Sequence, residues 1–98
     1  YNLKMNNECY EDDPNAMFEL AKMYHEGKGV NKDLVKAREL YEKAVEKNHL
    51  LAMNKLGFMY HLGEGVDKDL VKAKKLYEMA IEKGIPQAMN NLAYMYSN

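Results

Sequence analysis

The sequence predicts an all-α fold, a solenoid of antiparallel helix pairs, on two observations. The stretch GKGVNKDLVKARELYEKA at 27–44 returns 36 residues later as GEGVDKDLVKAKKLYEMA, and 21 of the 35 positions in 16–50 are identical to their counterparts in 52–86. Self-similarity at a fixed period of this size is typical of stacked supersecondary units. Within each copy, apolar residues also recur at the i, i+3, i+4, i+7 spacing of one helix face.

The repeat divides the 98-residue chain into units. We predict a single repeat domain over 1–98, with repeat 1 at 13–48, repeat 2 at 49–84 and the first helix of repeat 3 at 85–98. Residues 1–12 match the pattern less well and are interpreted as part of a preceding helix. Because the chain opens with Tyr1 and stops inside a third copy, we expect either a longer parent protein or self-association through an end of the array.

The first helix of each unit carries one apolar stripe. In repeat 1 the stripe consists of Met17, Leu20, Ala21 and Tyr24. Glycine adopts a left-handed backbone at little cost, so it is suited to end a helix and to keep the following turn tight. We therefore expect positive φ angles among the paired loop glycines, which are Gly27, Gly29, Gly63 and Gly65.

The second helix carries the other stripe, formed in repeat 1 by Ala37, Leu40, Tyr41 and Ala44. Asp33 precedes it and is suited to the N-cap, where a carboxylate accepts from unpaired backbone N–H groups. Asn48 and its counterpart Gly84 are the residue types that best tolerate a left-handed helix end. Each unit is therefore predicted to form two helices joined by a glycine-containing loop.

One slot of the first helix always holds a small residue. Ala21, Gly57 and Ala93 occupy it in the three copies. A small side chain lets two helices approach closely, so the slot is predicted to lie at a close helix contact. The repeated residues thus explain a scaffold and carry no catalytic chemistry.

These residues resemble a known family. The pattern Ala-x-x-x-Leu-Gly/Ala-x-x-Tyr, then Gly-x-Gly-Val-x-x-Asp, then Lys-Ala-x-x-Leu-Tyr-x-x-Ala, is similar to the Sel-one-like repeat (SLR) family, a relative of the tetratricopeptide repeat, and covers residues 13–96. The resemblance implies a right-handed α/α superhelix whose first helices line a concave face. It also implies a role in assembling protein complexes. The paired cysteines of the secreted bacterial branch are missing.

Composition excludes several kinds of partner. The formal charge is -1, with 14 basic and 15 acidic residues interspersed, whereas nucleic-acid binding requires clustered Lys and Arg. No apolar run approaches the ~20 residues that cross a bilayer. The GxGV loop lacks the Lys-Ser/Thr of a phosphate loop, so we predict no nucleic acid, no membrane insertion and no cofactor.

Enzymatic chemistry is not expected either, and no catalytic residue is predicted. The chain has no threonine and a single serine, Ser97, so no hydroxyl nucleophile lies where a base could activate it. Cys9, the sole cysteine, is interpreted as a small apolar residue of a helix. The i, i+4 glutamate pairs of the second helices lie among lysines and are interpreted as solvated surface.

The two histidines at equivalent positions, His25 and His61, leave one alternative open. Stacked helices lie ~8–10 Å apart, so the two imidazoles could share a transition metal. A metal would need a further ligand, and no close-spaced set is present. We therefore interpret both as exposed histidines of the ligand-binding face and predict no metal.

The predicted function is a non-enzymatic adaptor or scaffold that binds a peptide or partner protein on its concave face. The alternatives are an inert spacer within a longer array and, third, a hydrolase or metal-dependent module using His25, His61 and Cys9. Asn54 and Asn90 share a slot in which an amide can pair with a peptide backbone, and the apolar side chains beside them predict a binding shelf, unless twist buries Phe58 against Tyr94 as core. The predicted partner-binding residues are Phe18, Lys22, His25, Asn54, Phe58, His61, Leu62, Asn90 and Tyr94.

Overall fold

The computed structural model of the chain describes residues 13–97 and contains, within that range, five α-helices and no strand. The helices are α1 (Pro14–Glu26), α2 (Leu34–Glu46), α3 (Leu50–Leu62), α4 (Leu70–Glu82) and α5 (Gln87–Ser97). The all-α prediction and the helix pairs within it are confirmed. The interpretations of residues 1–12, including Cys9, lie outside the described residues.

The helices pack as an array of consecutive pairs. α1 packs against α2 and α3 against α4, while α2–α3 and α4–α5 contacts join one unit to the next. α3 also contacts α5, so first helices of neighbouring units touch directly. This arrangement brings α1, α3 and α5 to one side of the array.

Polar side chains cap the starts of helices, and the predicted cap at Asp33 is confirmed. The Asp33 carboxylate accepts from the backbone N–H of Lys36 at 3.0 Å. α3 begins differently, because the Nδ1 of His49 accepts from the Ala52 N–H at 3.2 Å. Histidine is not among the usual N-cap residues, so pattern analysis did not identify this cap.

Left-handed residues end the helices and shape the loops. Gly27 and Gly63 cap α1 and α3 with φ of 73° and 75°, and Gly29 and Gly65 follow at 78° and 69°. All four loop glycines therefore have the predicted positive φ. Asn48 and Gly84 also have positive φ, 64° and 95°, as their residue types indicated.

The two stripes meet in a continuous core. Ala21, Ala37, Tyr41 and Ala44 are essentially fully buried, while Leu40 packs at the edge of the same cluster. At Gly57 an added Cβ would lie 2.8 Å from a ring carbon of Tyr77. The small slot thus lies where α3 packs closely against Tyr77 of α4, as the prediction of a close helix approach requires.

The last helix keeps an exposed apolar face. Met89 and Tyr96 are 57% and 62% exposed, and Ala93, in the small slot, is exposed as well. Leu92 is only partly covered. Among residues 13–97, no helix has the length and apolar character needed to cross a membrane.

Candidate functional site

A cleft opens on the side of the array formed by the first helices. It has a volume of ≈ 220 Å³ and is lined by His25, Asn54, Lys55, Phe58 and Asn91. These residues come from α1, α3 and α5, so all three units contribute. Three of the predicted partner-binding residues, His25, Asn54 and Phe58, therefore lie together, and we call this site the first-helix cleft.

His25 links two units at one wall of the first-helix cleft. Its Nε2 lies 2.9 Å from the Oε1 of Glu64, and both side chains are partly buried. Glu64 belongs to the loop that follows α3, so the contact ties the end of α1 to the next unit. His25 lines the cleft but is partly buried rather than fully exposed as expected, because Glu64 packs against its imidazole.

An amide pair crosses the opposite wall. The Nδ2 of Asn91 donates to the Oδ1 of Asn54 at 2.8 Å. Asn90, which shares the repeat slot of Asn54 and was predicted to bind the partner with it, is exposed and does not line the cleft. The neighbouring residue faces α3 instead, because successive positions are turned ~100° around a helix.

His61 is buried, which contradicts its prediction as an exposed ligand-binding residue. It is only 4% exposed, and its ring contacts the rings of Phe58 and Tyr94 at centroid distances of 6.0 and 5.5 Å. The Nδ1 of His61 lies 3.4 Å from the hydroxyl of Tyr77. Desolvation, aided by the charge of Lys68, lowers the pKa of His61 and favours the neutral ring. In the tautomer that carries its proton on Nε2, the ring accepts from the Tyr77 hydroxyl.

Phe18 is likewise buried and does not line the concave surface as predicted. It is 6% exposed and stacks on the imidazole of His49 at 4.5 Å. The physical reason is the unforeseen cap, because His49 at the start of α3 lies over the Phe18 ring. Lys22, one turn further along α1, is partly exposed. Its ammonium lies 5.5 Å from the centroid of the Phe18 ring and 3.7 Å from the carboxylate of Glu19.

The predicted apolar shelf is partly present. Leu62 and Tyr94 are 45% and 51% exposed, while Phe58 is half-buried. The expected contact of aromatic residues is made through His61, whose ring touches both Phe58 and Tyr94. The buried imidazole of His61 therefore lies beneath the two aromatic rings of the shelf and contacts both of them.

Sequence reasoning missed two lining residues, Lys55 and Asn91. They occupy one slot of the repeat, which holds Glu19 in the first unit. That slot changes from acid to base to amide between copies, and such variation was the available signal. Within the described residues, no group of three or more His, Cys, Asp or Glu is arranged to hold a metal ion.

Two equivalent tyrosines beneath the histidines differ in one hydrogen bond. The hydroxyl of Tyr41 is buried and has no hydrogen-bond partner among the described residues, whereas Tyr77 pairs with His61. Burial raises the pKa of both phenols. Both hydroxyls are therefore protonated at neutral pH, and only one of them has an acceptor.

Substitution of each tyrosine by phenylalanine is expected to have opposite effects. Tyr41→Phe removes an unsatisfied buried hydroxyl and should raise the free energy of unfolding by about 1 kcal/mol. Tyr77→Phe leaves the acceptor of His61 unpaired and should lower it by about 1 kcal/mol. Urea denaturation of both variants measures the difference, and equal shifts would show that the Tyr77–His61 contact contributes nothing.

The sequence and the fold are both similar to those of known repeat proteins. The family model described as Sel1 repeat matches residues 14–49, 50–85 and 86–98. A Sel1 repeat protein from Oxalobacter formigenes is 40% identical with a TM-score of 0.78, the match covering 82% of this chain and 60% of that one. No curated protein matches the sequence.

Two further solved structures have the same arrangement. A protective antigen of uropathogenic Escherichia coli strains, which displays an SLR fold, is 36% identical with a TM-score of 0.85 over 98% of this chain and 21% of its own. Cysteine rich protein B of Helicobacter pylori is 34% identical with a TM-score of 0.77 over 83% and 61%. This chain therefore spans less than two thirds of each protein, and the solenoid prediction is confirmed.

Proposed function

Because the chain belongs to the Sel1 repeat family, whose repeats are typically protein-interaction modules, we propose that it is a non-enzymatic scaffold that binds a peptide or partner protein at the first-helix cleft. The proposal is carried by one observation, the composition of α3. A surface helix normally has one apolar stripe and one polar face. α3 is apolar around most of its circumference and has a single charged residue, Lys55.

The apolar excess of α3 reaches the surface beside the cleft. Its core side is occupied by residues such as Met53 and Met59, which are fully buried. Phe58 remains half-buried at the cleft, and Leu62 is 45% exposed. An exposed apolar patch rimmed by polar groups is typical of a binding site, and aromatic anchors dominate interface energetics.

The dimensions of the first-helix cleft favour a side chain over a small-molecule substrate. Its ≈ 220 Å³ is below the roughly 300–1,000 Å³ of small-molecule pockets. Its lining has amides, an imidazole and an ammonium but no hydroxyl or thiol nucleophile. A peptide that inserts one apolar side chain and pairs with the amides fits this chemistry better than a reaction does.

The test is selection of binders from a random peptide display library, followed by affinity measurement on substituted chains. Phe58→Ala and Tyr94→Ala should each weaken the selected peptides about tenfold or more. Tyr96→Ala is the matched control, since two residues turn the helix by ~200° and Tyr96 is 62% exposed on another side. Equal losses at the two tyrosines would contradict the proposal.

The other candidate roles give different outcomes in the same experiment. An inert spacer would yield no selectable peptide. Self-association through the exposed face of α5, which includes Met89 and Tyr96, is a second mode of binding that we propose. It would make the sedimentation of the unliganded chain depend on concentration and would be reduced by Tyr96→Ala rather than by Phe58→Ala.

A further inference from the structure

We infer that the partner is an acidic peptide, which places a carboxylate against Lys55 and an adjacent apolar side chain against Phe58. This inference rests on the proposed function, because it specifies the ligand of the same first-helix cleft. Lys55 is the one cation among the residues that line the cleft, and it has no ion pair among the described residues.

The wall formed by α3 and α5 has no acidic side chain. α3 carries Lys55 as its only charged residue, and α5 carries none. Glutamates are instead found on α1, as Glu19 and Glu26, and with lysines on α2 and α4. The chain is close to neutral overall, at -1. The positive charge of this wall therefore comes from the position of Lys55 on α3 rather than from the net charge of the chain.

The carboxylate next to the cleft is already engaged. Glu64 pairs with His25 at 2.9 Å, and His25 is the lining residue from α1. Glu64 is thus directed to the imidazole rather than to Lys55. A basic partner would have to displace His25 from this acid. The charge of Glu64 at the α1 wall directs the carboxylate of an acidic partner to the opposite wall, where Lys55 lies.

The repeat position of Lys55 forms an ion pair within the helix in the first unit, but Lys55 itself has no such partner in the second. In the first unit the slot holds Glu19, whose carboxylate lies 3.7 Å from the ammonium of Lys22. In the second unit the same two positions hold Lys55 and Phe58. An intrahelical ion pair is therefore replaced by a lysine and an aromatic ring, and Lys55 has no ion pair among the described residues.

These neighbours define the ligand chemistry. A carboxylate on the ligand would pair with the ammonium of Lys55, as the carboxylate of Glu19 pairs with Lys22 in the first unit. Because Phe58 follows Lys55 by three positions, both side chains lie on the same side of α3. An aspartate or glutamate close to an apolar residue in the peptide contacts both, and the amide pair of Asn54 and Asn91 borders the same site.

The experiment compares peptides selected on three forms of the chain from one unbiased display library. On the unmodified chain we expect binders enriched in Asp or Glu beside an apolar residue. Lys55→Glu should weaken those binders about five- to tenfold, as expected when an exposed ion pair becomes a like-charge contact, and should itself select Lys- or Arg-containing peptides. Lys75→Glu changes the net charge equally but lies exposed on α4, so it should weaken them less than about twofold.

The outcomes separate this inference from the function on which it rests. Peptides that require Phe58 but show no acidic enrichment, or that bind Lys55→Glu as well as the unmodified chain, would overturn the acidic ligand and leave the scaffold standing. Equal losses for Lys55→Glu and Lys75→Glu would also overturn it, since net charge alone would then explain binding. Absence of any peptide that depends on Phe58 or Tyr94 would overturn the proposed function itself.

Discussion

Replacement of Gly65 by alanine should lower the free energy of unfolding by about 3 kcal/mol, the sum of a left-handed backbone and a steric clash. Gly65 has φ of +69°, and an added Cβ would lie 2.5 Å from the carbonyl oxygen of Leu34. That oxygen belongs to the backbone at the start of α2 and cannot move without shifting one unit against the other. Urea denaturation would measure the loss.

Gly63→Ala is the matched control for this substitution. Gly63 has nearly the same φ, +75°, but its nearest neighbour would be the Cβ of Lys68 at 3.4 Å, an ordinary contact. We expect it to cost only the left-handed strain, roughly 1–2 kcal/mol. If the two alanines cost the same, the approach of the second loop to α2 is not a tight inter-unit contact.

Gly57→Leu is expected to cost about 3 kcal/mol through overpacking of the core. Even a Cβ at this position would lie 2.8 Å from the ring of Tyr77, and Tyr77 is fully buried. Because a leucine extends well beyond its Cβ, the Tyr77 ring and the backbone of α4 near Ala73 must shift to accommodate it. Thermal and urea denaturation should both show the loss.

The repeat provides a control for Gly57→Leu at the equivalent position. Ala93 occupies the same slot on α5 but is exposed, because no second helix covers it among the described residues. Ala93→Leu should change the free energy of unfolding by less than about 0.5 kcal/mol. A large loss there as well would mean that the leucine side chain itself, rather than the close packing of α3 on α4, is responsible.

Local rules were sufficient for the helices, the aspartate and glycine caps and the small slot, but not for the His49 cap of α3. Asp33 caps α2 and Gly27 ends α1 in a left-handed conformation, because capping and positive φ depend on a few neighbouring atoms. The fully buried Tyr41 and Tyr77 follow from the period of the stripe. A repeat strengthens such predictions, because the same residue types occur at the same cap and turn positions in two copies of one chain.

Exposure of the site residues was decided by contacts between units. Phe18 is covered by His49, and His61 by rings that include Tyr94; in each case the covering residue comes from the next unit. Asn91 rather than Asn90 meets Asn54, which depends on the rotation of α5 about its axis. The residue period determined the scaffold because helix formation is local, whereas the twist between units, which selects the residues that remain open at the cleft, is set only when the helices pack.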